Sequence, residues 1–208
     1  MSDREKWNQR YSDSLAARLG TEPSEWLASH RSLLVDQPKG RALDVAGGAG
    51  RNAFYLAELG FDVDVWDISD VAVEAVAGEA ARRGLGIRAR QCDLTETEIP
   101  VEAFQVVVNL NFLERSLFHP LSDALVPGGL LFFQAFVEED ASVARRPMNP
   151  RFVLESRELL EGFPCLEALD YREEVEAETP RGSRSVARLL ARRHFACPKN
   201  RTGERLMG

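Results

Sequence analysis

The sequence RALDVAGGAGRNAFYLAELGFDVDVWDIS, residues 41–69, predicts a strand, a glycine turn, a helix and a second strand. Residues 42–45 are typical of a short buried strand. Residues 51–59 carry apolar side chains at a spacing that suits a helix packed on a sheet, and Gly60 is its expected stop. Residues 61–66 then alternate as a strand does, which places Asp67 at the end of that strand.

The glycine turn and the acidic residue after it have the chemistry of a nucleoside site. Gly47, Gly48 and Gly50 let a ligand approach the backbone closely. The helix that follows offers unpaired N–H groups and the positive end of its dipole. Asp67 lies near the spacing, about 20 residues, at which a carboxylate can hold both hydroxyls of a ribose. The ligand is therefore expected to be a small molecule that carries a nucleoside.

Two kinds of cofactor remain possible on the glycine turn alone. The residues Gly48-x-Gly50-x-x-Ala53 also fit a dinucleotide fingerprint, so an NAD(P)-dependent oxidoreductase is an alternative. Asp44, before the turn, favours a ligand ammonium group, because a pyrophosphate gains nothing from a negative charge there. Asp93, after a predicted third strand, offers a second carboxylate for an adenine amino group.

These motifs together resemble the class I, Rossmann-like methyltransferases that depend on S-adenosyl-L-methionine (SAM). The matching positions are Asp44-x-Ala46-x-Gly48-x-Gly50, Asp67, Asp93 and the later turn Pro127-Gly128-Gly129. The resemblance covers residues 38–195 and departs from the family pattern at Ala46, where glycine is usual, and at Gln105, where Asp is frequent. Within the class, the chain is similar to the small bacterial tellurite-resistance-type enzymes at residues 50–53, 67–69, 112–118 and 149–150.

The resemblance implies an α/β fold. We expect a three-layer Rossmann-like sandwich with a seven-stranded, mostly parallel sheet, an antiparallel C-terminal edge pair and N-terminal helices. Residues 1–37 are the expected helical lid or extension of the same domain, residues 38–196 the methyltransferase domain, and residues 197–208 a disordered tail.

The resemblance also implies SAM as the cofactor and a set of residues around it. Asp44 and the glycine turn would hold the methionyl end, Asp67 the ribose, and Asp93 with Leu94 the adenine. The expected cofactor-binding residues are Asp44, Ala46, Gly47, Gly48, Gly50, Arg51, Asn52, Asp67, Ile68, Cys92, Asp93, Leu94 and Asn109. The residues expected to border the acceptor are Trp7, Arg10, Tyr11, Phe112 and Arg115. No catalytic residue and no metal ligand is predicted.

Periodicity predicts the remaining elements. Trp7, Tyr11, Leu15 and Leu19 share one face of an N-terminal helix, which either packs on the domain or covers the substrate. The other expected helices are 24–35, 70–83, 117–125 and 156–161; the other strands are 87–92, 104–110, 130–136, 166–174 and 185–193. Residues 138–150 are expected to form a loop, and residues 176–183 a hairpin loop between the last two strands.

Composition and charge disfavour several classes of function. The net charge of −7 disfavours non-specific nucleic-acid binding, and no segment has the apolar core of a signal peptide or membrane span. The three cysteines are isolated in sequence, so we expect neither a disulfide framework nor a metal site. We expect a cytoplasmic protein.

Apart from the carboxylates expected at the cofactor, no His, Asp or Glu suggests a general base. This favours an acceptor that needs no base, such as a soft nucleophile, or an oxyanion such as tellurite held by Arg115, Arg145 or Arg146. The expected function is methyl transfer from SAM to a small molecule. A SAM-binding module without catalysis is a further alternative.

Overall fold

The computed structural model describes residues 1–15, 19–137, 149–179 and 182–195, and it is built on one seven-stranded sheet. The strand order is β3-β2-β1-β4-β5-β7-β6; β1 to β5 pair in parallel, and β7 is antiparallel to both of its neighbours. The strands are β1 Arg41–Val45, β2 Asp62–Asp67, β3 Ile87–Gln91, β4 Phe104–Leu110, β5 Leu125–Phe136, β6 Leu166–Thr179 and β7 Gly182–Arg193. The helices are α1 Asp3–Ser14, α2 Glu25–Ser29, α3 Arg31–Asp36, α4 Arg51–Glu58, α5 Asp70–Arg83, α6 Phe118–Ala124 and α7 Glu158–Glu161.

Helices cover both faces of the sheet, which confirms the predicted three-layer Rossmann-like architecture with an antiparallel edge pair. One apolar cluster joins a sheet face to α2, α3, α4 and α5, and the second joins the other face to α6 and α7. Because the central strands are covered on both sides, their sequences are nearly continuous apolar runs, as in Phe104–Leu110. Among the described residues, no helix is both long enough and apolar enough to cross a bilayer.

The predicted helix at residues 24–35 is wrong as a single element, because the chain breaks at His30 between α2 and α3. The hydroxyl of Ser29 donates to the carbonyl oxygen of Trp26 at 2.7 Å, and Nδ1 of His30 lies 2.8 Å from the same oxygen. Side chains thus compete for a carbonyl that a continuous helix would use in its own backbone bonds. Trp26 still points into the core, as predicted.

The last two strands are longer than predicted, so the expected hairpin loop at residues 176–183 is also wrong. Backbone pairing continues through Val175↔Ser185 and Glu176↔Arg184. The charged composition of this segment is typical of a loop, but charged residues are equally common on an exposed edge strand. The Pro127-Gly128-Gly129 turn lies inside β5, where the pairing of β5 with β4 shifts register and Gly128 has a φ of +82°.

Cys92 is a buried free thiol, whereas Cys165 is disulfide-bonded, contrary to the expectation of no disulfide. Two other predicted segments lie outside the described residues. These are the tail at 197–208 and residues 138–148 of the predicted loop, which include Arg145 and Arg146.

Helix α1 is fixed to the junction between β2 and α5 by side-chain hydrogen bonds. The hydroxyl of Ser69, which caps α5, donates to Oδ1 of Asn8 at 2.7 Å. Nδ2 of Asn8 and Nε of Arg4 donate to Oδ1 of Asp70 at 2.7 and 3.0 Å. The bonds from Arg4 and Asn8 lower the pKa of Asp70 to about 2. The helix is thereby held beside the carboxyl ends of the parallel strands.

We expect Asn8→Ala to loosen α1 without unfolding the domain, because the substitution removes both bonds that Asn8 makes to the α5 junction. Two bonds of about 1 kcal/mol each correspond to a roughly thirtyfold rise in hydrogen exchange of the α1 amides. The matched control is Gln9→Ala, since Gln9 bonds Asp13 within the same helix. Equal exchange of α1 in the two variants, measured by mass spectrometry, would contradict this account of the docking.

Candidate functional site

The candidate site lies at the carboxyl edge of the sheet, where β1 lies between β2 and β4. The chain passes from β1 to β2 and β3 on one side and then returns to β4 on the other, so strand order reverses between β1 and β4. Ligands of open α/β sheets bind at such a switch point. The ends of β1, β2 and β4 bring Asp44, Asp67 and Asn109 to this edge.

The glycine turn after β1 is built from left-handed backbone conformations. Ala46, Gly48 and Gly50 have φ values of +50°, +55° and +74°. A left-handed residue with a Cβ costs about 1–2 kcal/mol, so Ala46 keeps the turn at a modest energetic cost. A Cβ added to Gly47 would lie 2.9 Å from the carboxylate of Asp44, so only glycine leaves this carboxylate room.

Asp44 is a buried carboxylate with an unused acceptor atom. Only 1% of the residue is exposed, and Oδ2 has no hydrogen-bond partner among the described residues. Burial raises the pKa of Asp44 to about 7, against the opposing effects of the Ala53 backbone N–H and the positive charge of Arg51. A carboxylate held this way is suited to a cationic hydrogen-bond donor, which would satisfy the free oxygen and stabilise the negative charge.

Asp67 connects the glycine turn to the end of β2. Its Oδ2 accepts a hydrogen bond from the backbone N–H of Gly48 at 2.9 Å, and its Oδ1 accepts from that of Ser69 at 2.8 Å. The residue is 4% exposed, and burial raises its pKa although these N–H groups oppose the shift. Each carboxylate oxygen has a second lone pair, so the group can bind ligand hydroxyls while it still holds the loop.

Asn109 is the second group at this edge with unused polar atoms. It is 1% exposed, and neither Nδ2 nor Oδ1 has a partner among the described residues. A buried amide without hydrogen bonds costs about 1–3 kcal/mol, so its conformation calls for a ligand or solvent atom. Asn109 pairs in register with Val45 of β1, one residue after Asp44.

The residues after β3 combine a turn with apolar packing. Oδ1 of Asp93 accepts hydrogen bonds from the backbone N–H and the hydroxyl of Thr95, at 2.9 and 2.7 Å. Asp93 therefore stabilises a turn, whatever else it binds. Cys92 and Leu94 are buried in the apolar cluster next to it, and burial raises the pKa of the Cys92 thiol. The carbonyl of Ile68 accepts from the Gln91 side chain at 3.2 Å.

Two other expected cofactor residues are directed elsewhere. The amide oxygen of Asn52, a buried residue, accepts from the backbone N–H of Ser24 at 3.0 Å and so joins the N-terminal segment to α4. Arg51 lines a cavity on the outer face of α4, although its positive charge also acts on Asp44. Neither side chain is therefore assigned a direct contact with the cofactor.

The aromatic pair of α1 lies over the glycine turn. Trp7 and Tyr11 stack with ring centroids 5.8 Å apart, and the guanidinium of Arg10 lies 4.8 Å from the Trp7 ring. A Cβ added to Gly48 would meet the Tyr11 hydroxyl and lie 3.1 Å from Cζ of that ring. The N-terminal helix is thus a wall of the candidate site, next to the loop that the sequence assigns to the cofactor.

Arg115 and Phe112, both expected at the acceptor, have structural contacts of their own. The guanidinium of Arg115 binds Glu158 through two nitrogens, at 2.5 and 2.8 Å, and donates to the carbonyl of Val153 at 2.8 Å. This pairing holds residues 151–158 against the loop after β4 and leaves Arg115 less able to bind an anion. Phe112 is half-buried and packs against the core.

A polar network at the end of β5 was not predicted. Nε2 of Gln134 donates to Oδ1 of Asn111 at 2.9 Å, and Nε of Arg188 donates to Oε1 of Gln134 at 2.8 Å. Arg188 also pairs with Glu174, and Asn111 has a φ of +69°. The one sequence signal is Gln134, a polar residue within the apolar run of β5.

The chain is similar to several known methyltransferases. Residues 42–129 match the model of a methyltransferase domain. The probable SAM-dependent methyltransferase TehB of Haemophilus influenzae is 26% identical over 166 residues, which are 74% of this chain and 57% of TehB. Ribosomal RNA small subunit methyltransferase B of Thermus thermophilus is 37% identical over 92 residues, 44% of this chain and 23% of that protein. The chain thus spans less than two thirds of either relative.

Solved structures show the same fold. The crystal structure of TehB from Haemophilus influenzae aligns with a TM-score of 0.70 at 22% identity, over 90% of this chain and 67% of that one. Geranyl diphosphate C-methyltransferase from Streptomyces coelicolor, solved with S-adenosyl-L-homocysteine, aligns with a TM-score of 0.64 at 16% identity, over 91% and 96%. Residues 42–129 therefore match a methyltransferase domain, and the chain is similar in sequence and in fold to the TehB-type, SAM-dependent methyltransferases.

Proposed function

We propose that this chain binds SAM at the carboxyl edge of the sheet and transfers its methyl group to a small-molecule acceptor. The observation that carries the proposal is the buried Asp44 carboxylate, whose Oδ2 has no partner among the described residues. SAM presents an ammonium group on its methionyl end, which would satisfy that oxygen and its charge. A dinucleotide would instead bring a pyrophosphate towards Asp44 and Asp67, and like charges in a buried site repel strongly.

The remaining residues fit the other parts of SAM. Gly47 and Gly48 lack a Cβ, and the side-chain atoms nearest to them belong to Val65, Asp44 and Tyr11, so the turn lies directly beside the carboxylate that would hold the methionyl ammonium. The second lone pairs of Asp67 are available to the ribose hydroxyls. Asp93, Cys92 and Leu94 offer one carboxylate and an apolar surface to the adenine, and Asn109 supplies two unused polar atoms.

When bound, SAM supplies a methyl group already activated on a sulfonium, so the protein needs to hold and align rather than to activate. Asp44 and the glycine turn would hold the methionyl end, and Asp67 would hold the ribose. Helix α1, with the stacked Trp7 and Tyr11, lies over the turn. Alignment of this kind removes orientational entropy from the barrier.

The positions of the histidines support one class of acceptor. His30 lies at the break between α2 and α3, where it contacts the Trp26 carbonyl. His119 pairs with Asp123 on an exposed face, and His194 follows the end of β7, at the opposite edge of the sheet. None of the three histidines is placed to remove a proton at the candidate site. This arrangement supports a soft nucleophile, such as a thiol, or an oxyanion such as tellurite, as in the tellurite-resistance-type enzymes that the sequence resembles.

The function is tested with labelled SAM and an acceptor panel of tellurite, selenite and small thiols. Transfer of the label to one of these acceptors supports the proposal and identifies the class. Firm binding of S-adenosyl-L-homocysteine without transfer to any small molecule would instead favour a SAM-binding module.

We expect Asp67→Asn to weaken binding of S-adenosyl-L-homocysteine by about 1–3 kcal/mol, because the amide cannot accept both ribose hydroxyls and keep the bonds from Gly48 and Ser69. The matched control is Asp62→Asn, at the exposed start of the same strand, which should bind as the wild type does. Calorimetric titration gives both affinities. Unchanged affinity in Asp67→Asn would remove the ribose assignment.

Asp44→Asn should make the protein more stable at alkaline pH while it binds S-adenosyl-L-homocysteine less well. The pKa of Asp44 is about 7 in the folded chain and near 3.8 when unfolded, so the folded state holds its proton more tightly. The cost of the buried charge is therefore absent below pH ~4 and complete above pH ~7.

As the pH rises from ~4 to ~7, the free energy of unfolding of Asp44→Asn should increase by ~1–4 kcal/mol relative to that of the wild type. Urea unfolding at several pH values measures this difference. A difference that does not change with pH would show that Asp44 is not held in this way.

A further inference from the structure

A second cavity, of about 450 Å³, lies on the outer face of α4. Its walls are α4, the end of α5, the segment before α2 and the first residue of α3. Charged and hydroxyl side chains dominate its lining, and those that carry the inference are Arg31, Arg51, Tyr55, Glu58 and Arg83. Neither the cofactor assignment nor the acceptor uses this cavity.

The three arginines of the cavity differ in how their charge is balanced. Arg83 donates to Glu79 at 2.6 Å, lies 3.6 Å from Glu58 and stacks over the Phe54 ring. Arg31 and Arg51 have no hydrogen bond or ion pair with any residue in the described part of the chain, although both line the cavity. Glu22, also on the wall, is exposed. Two guanidinium groups are therefore available to a ligand.

The hydroxyl of Tyr55 is a third unused group. Its oxygen is buried and has no hydrogen-bond partner among the described residues. Arg31 and Tyr55 both line the cavity, and the positive charge of Arg31 opposes the effect of burial, which raises the pKa of Tyr55. A buried hydroxyl that lacks a partner is costly, so a ligand acceptor atom at this point would stabilise the protein.

We propose that this cavity binds a phosphate group, either as the free ion or as the monoester of a small metabolite. Arginine forks match the oxygens of phosphate and form charge-assisted hydrogen bonds with them, and a tyrosine hydroxyl adds a neutral donor. The cavity is larger than the ion needs, which leaves room for the organic part of an ester. The cofactor cleft does not compete for such a ligand, since Asp44 and Asp67 would repel it.

The test is calorimetric titration of the full chain with inorganic phosphate and with glycerol 2-phosphate, at constant ionic strength set with chloride. Each titration is run with and without saturating S-adenosyl-L-homocysteine, so failure of the cofactor assignment is seen separately. Wild type should bind either ligand at one saturable site. Tighter binding of phosphate identifies the free ion, and tighter binding of the ester identifies a phosphorylated metabolite.

Arg31→Gln should weaken phosphate binding about tenfold or more, the effect of losing one charge-assisted hydrogen bond. Tyr55→Phe should weaken it by about threefold to tenfold, which tests the hydroxyl with little change of shape. The matched control is Arg151→Gln, because Arg151 is an exposed arginine that pairs with Glu114 in the loop after β4, does not line the cavity and should not affect binding.

Circular dichroism and thermal unfolding confirm that each variant is folded. The proposal is overturned if the wild type shows no saturable binding, if Arg31→Gln binds as tightly as the wild type, or if Arg151→Gln loses as much affinity as Arg31→Gln.

Discussion

The carboxylate of Asp67 binds the backbone N–H groups of Gly48 and Ser69, and the rest of the site depends on this contact. Gly48 is in the turn after β1, and Ser69 caps α5, so one side chain fixes the relative position of two βα junctions. Ser69 in turn binds Asn8, which holds α1 in place. The glycine turn, the Ser69 cap of α5 and helix α1 are therefore parts of one hydrogen-bonded arrangement.

Two buried carboxylates at the same edge of the sheet are electrostatically unfavourable for the folded protein. Asp44 and Asp67 are both buried, burial raises the pKa of each, and the negative charge of Asp67 adds to the shift at Asp44. A fold under selection for stability alone would not keep two carboxylates here, with one oxygen unsatisfied. Such unfavourable groups are common at functional sites, where residues needed for binding lower the stability of the fold. An ammonium group brought by the cofactor would reverse the cost at Asp44.

The sequence was most informative where the backbone itself makes the site. The turn glycines, Asp44 and Asp67 follow from strand ends and spacing, since a parallel sheet brings such ends to one edge. Long side chains were harder to place: Arg115 binds Glu158, and Arg51 lines the outer cavity, because either direction is compatible with the same helix or loop pattern. The break at His30 depends on a side chain that binds a nearby carbonyl, which periodicity does not record. Asn8 acts through partners that are distant in sequence, so no local pattern reveals it, and Gln134 is visible only as a polar residue in an apolar run that does not indicate its partners.

The most direct test of the account is a calorimetric titration of the wild-type chain with S-adenosyl-L-homocysteine at pH 7, in two buffers of different protonation enthalpy, with NAD as the control ligand. We predict micromolar binding of S-adenosyl-L-homocysteine, no binding of NAD, and release of up to about half a proton, because the ligand ammonium lowers the pKa of Asp44. Binding of NAD without S-adenosyl-L-homocysteine, or binding of S-adenosyl-L-homocysteine with no proton released, would contradict the role given to Asp44.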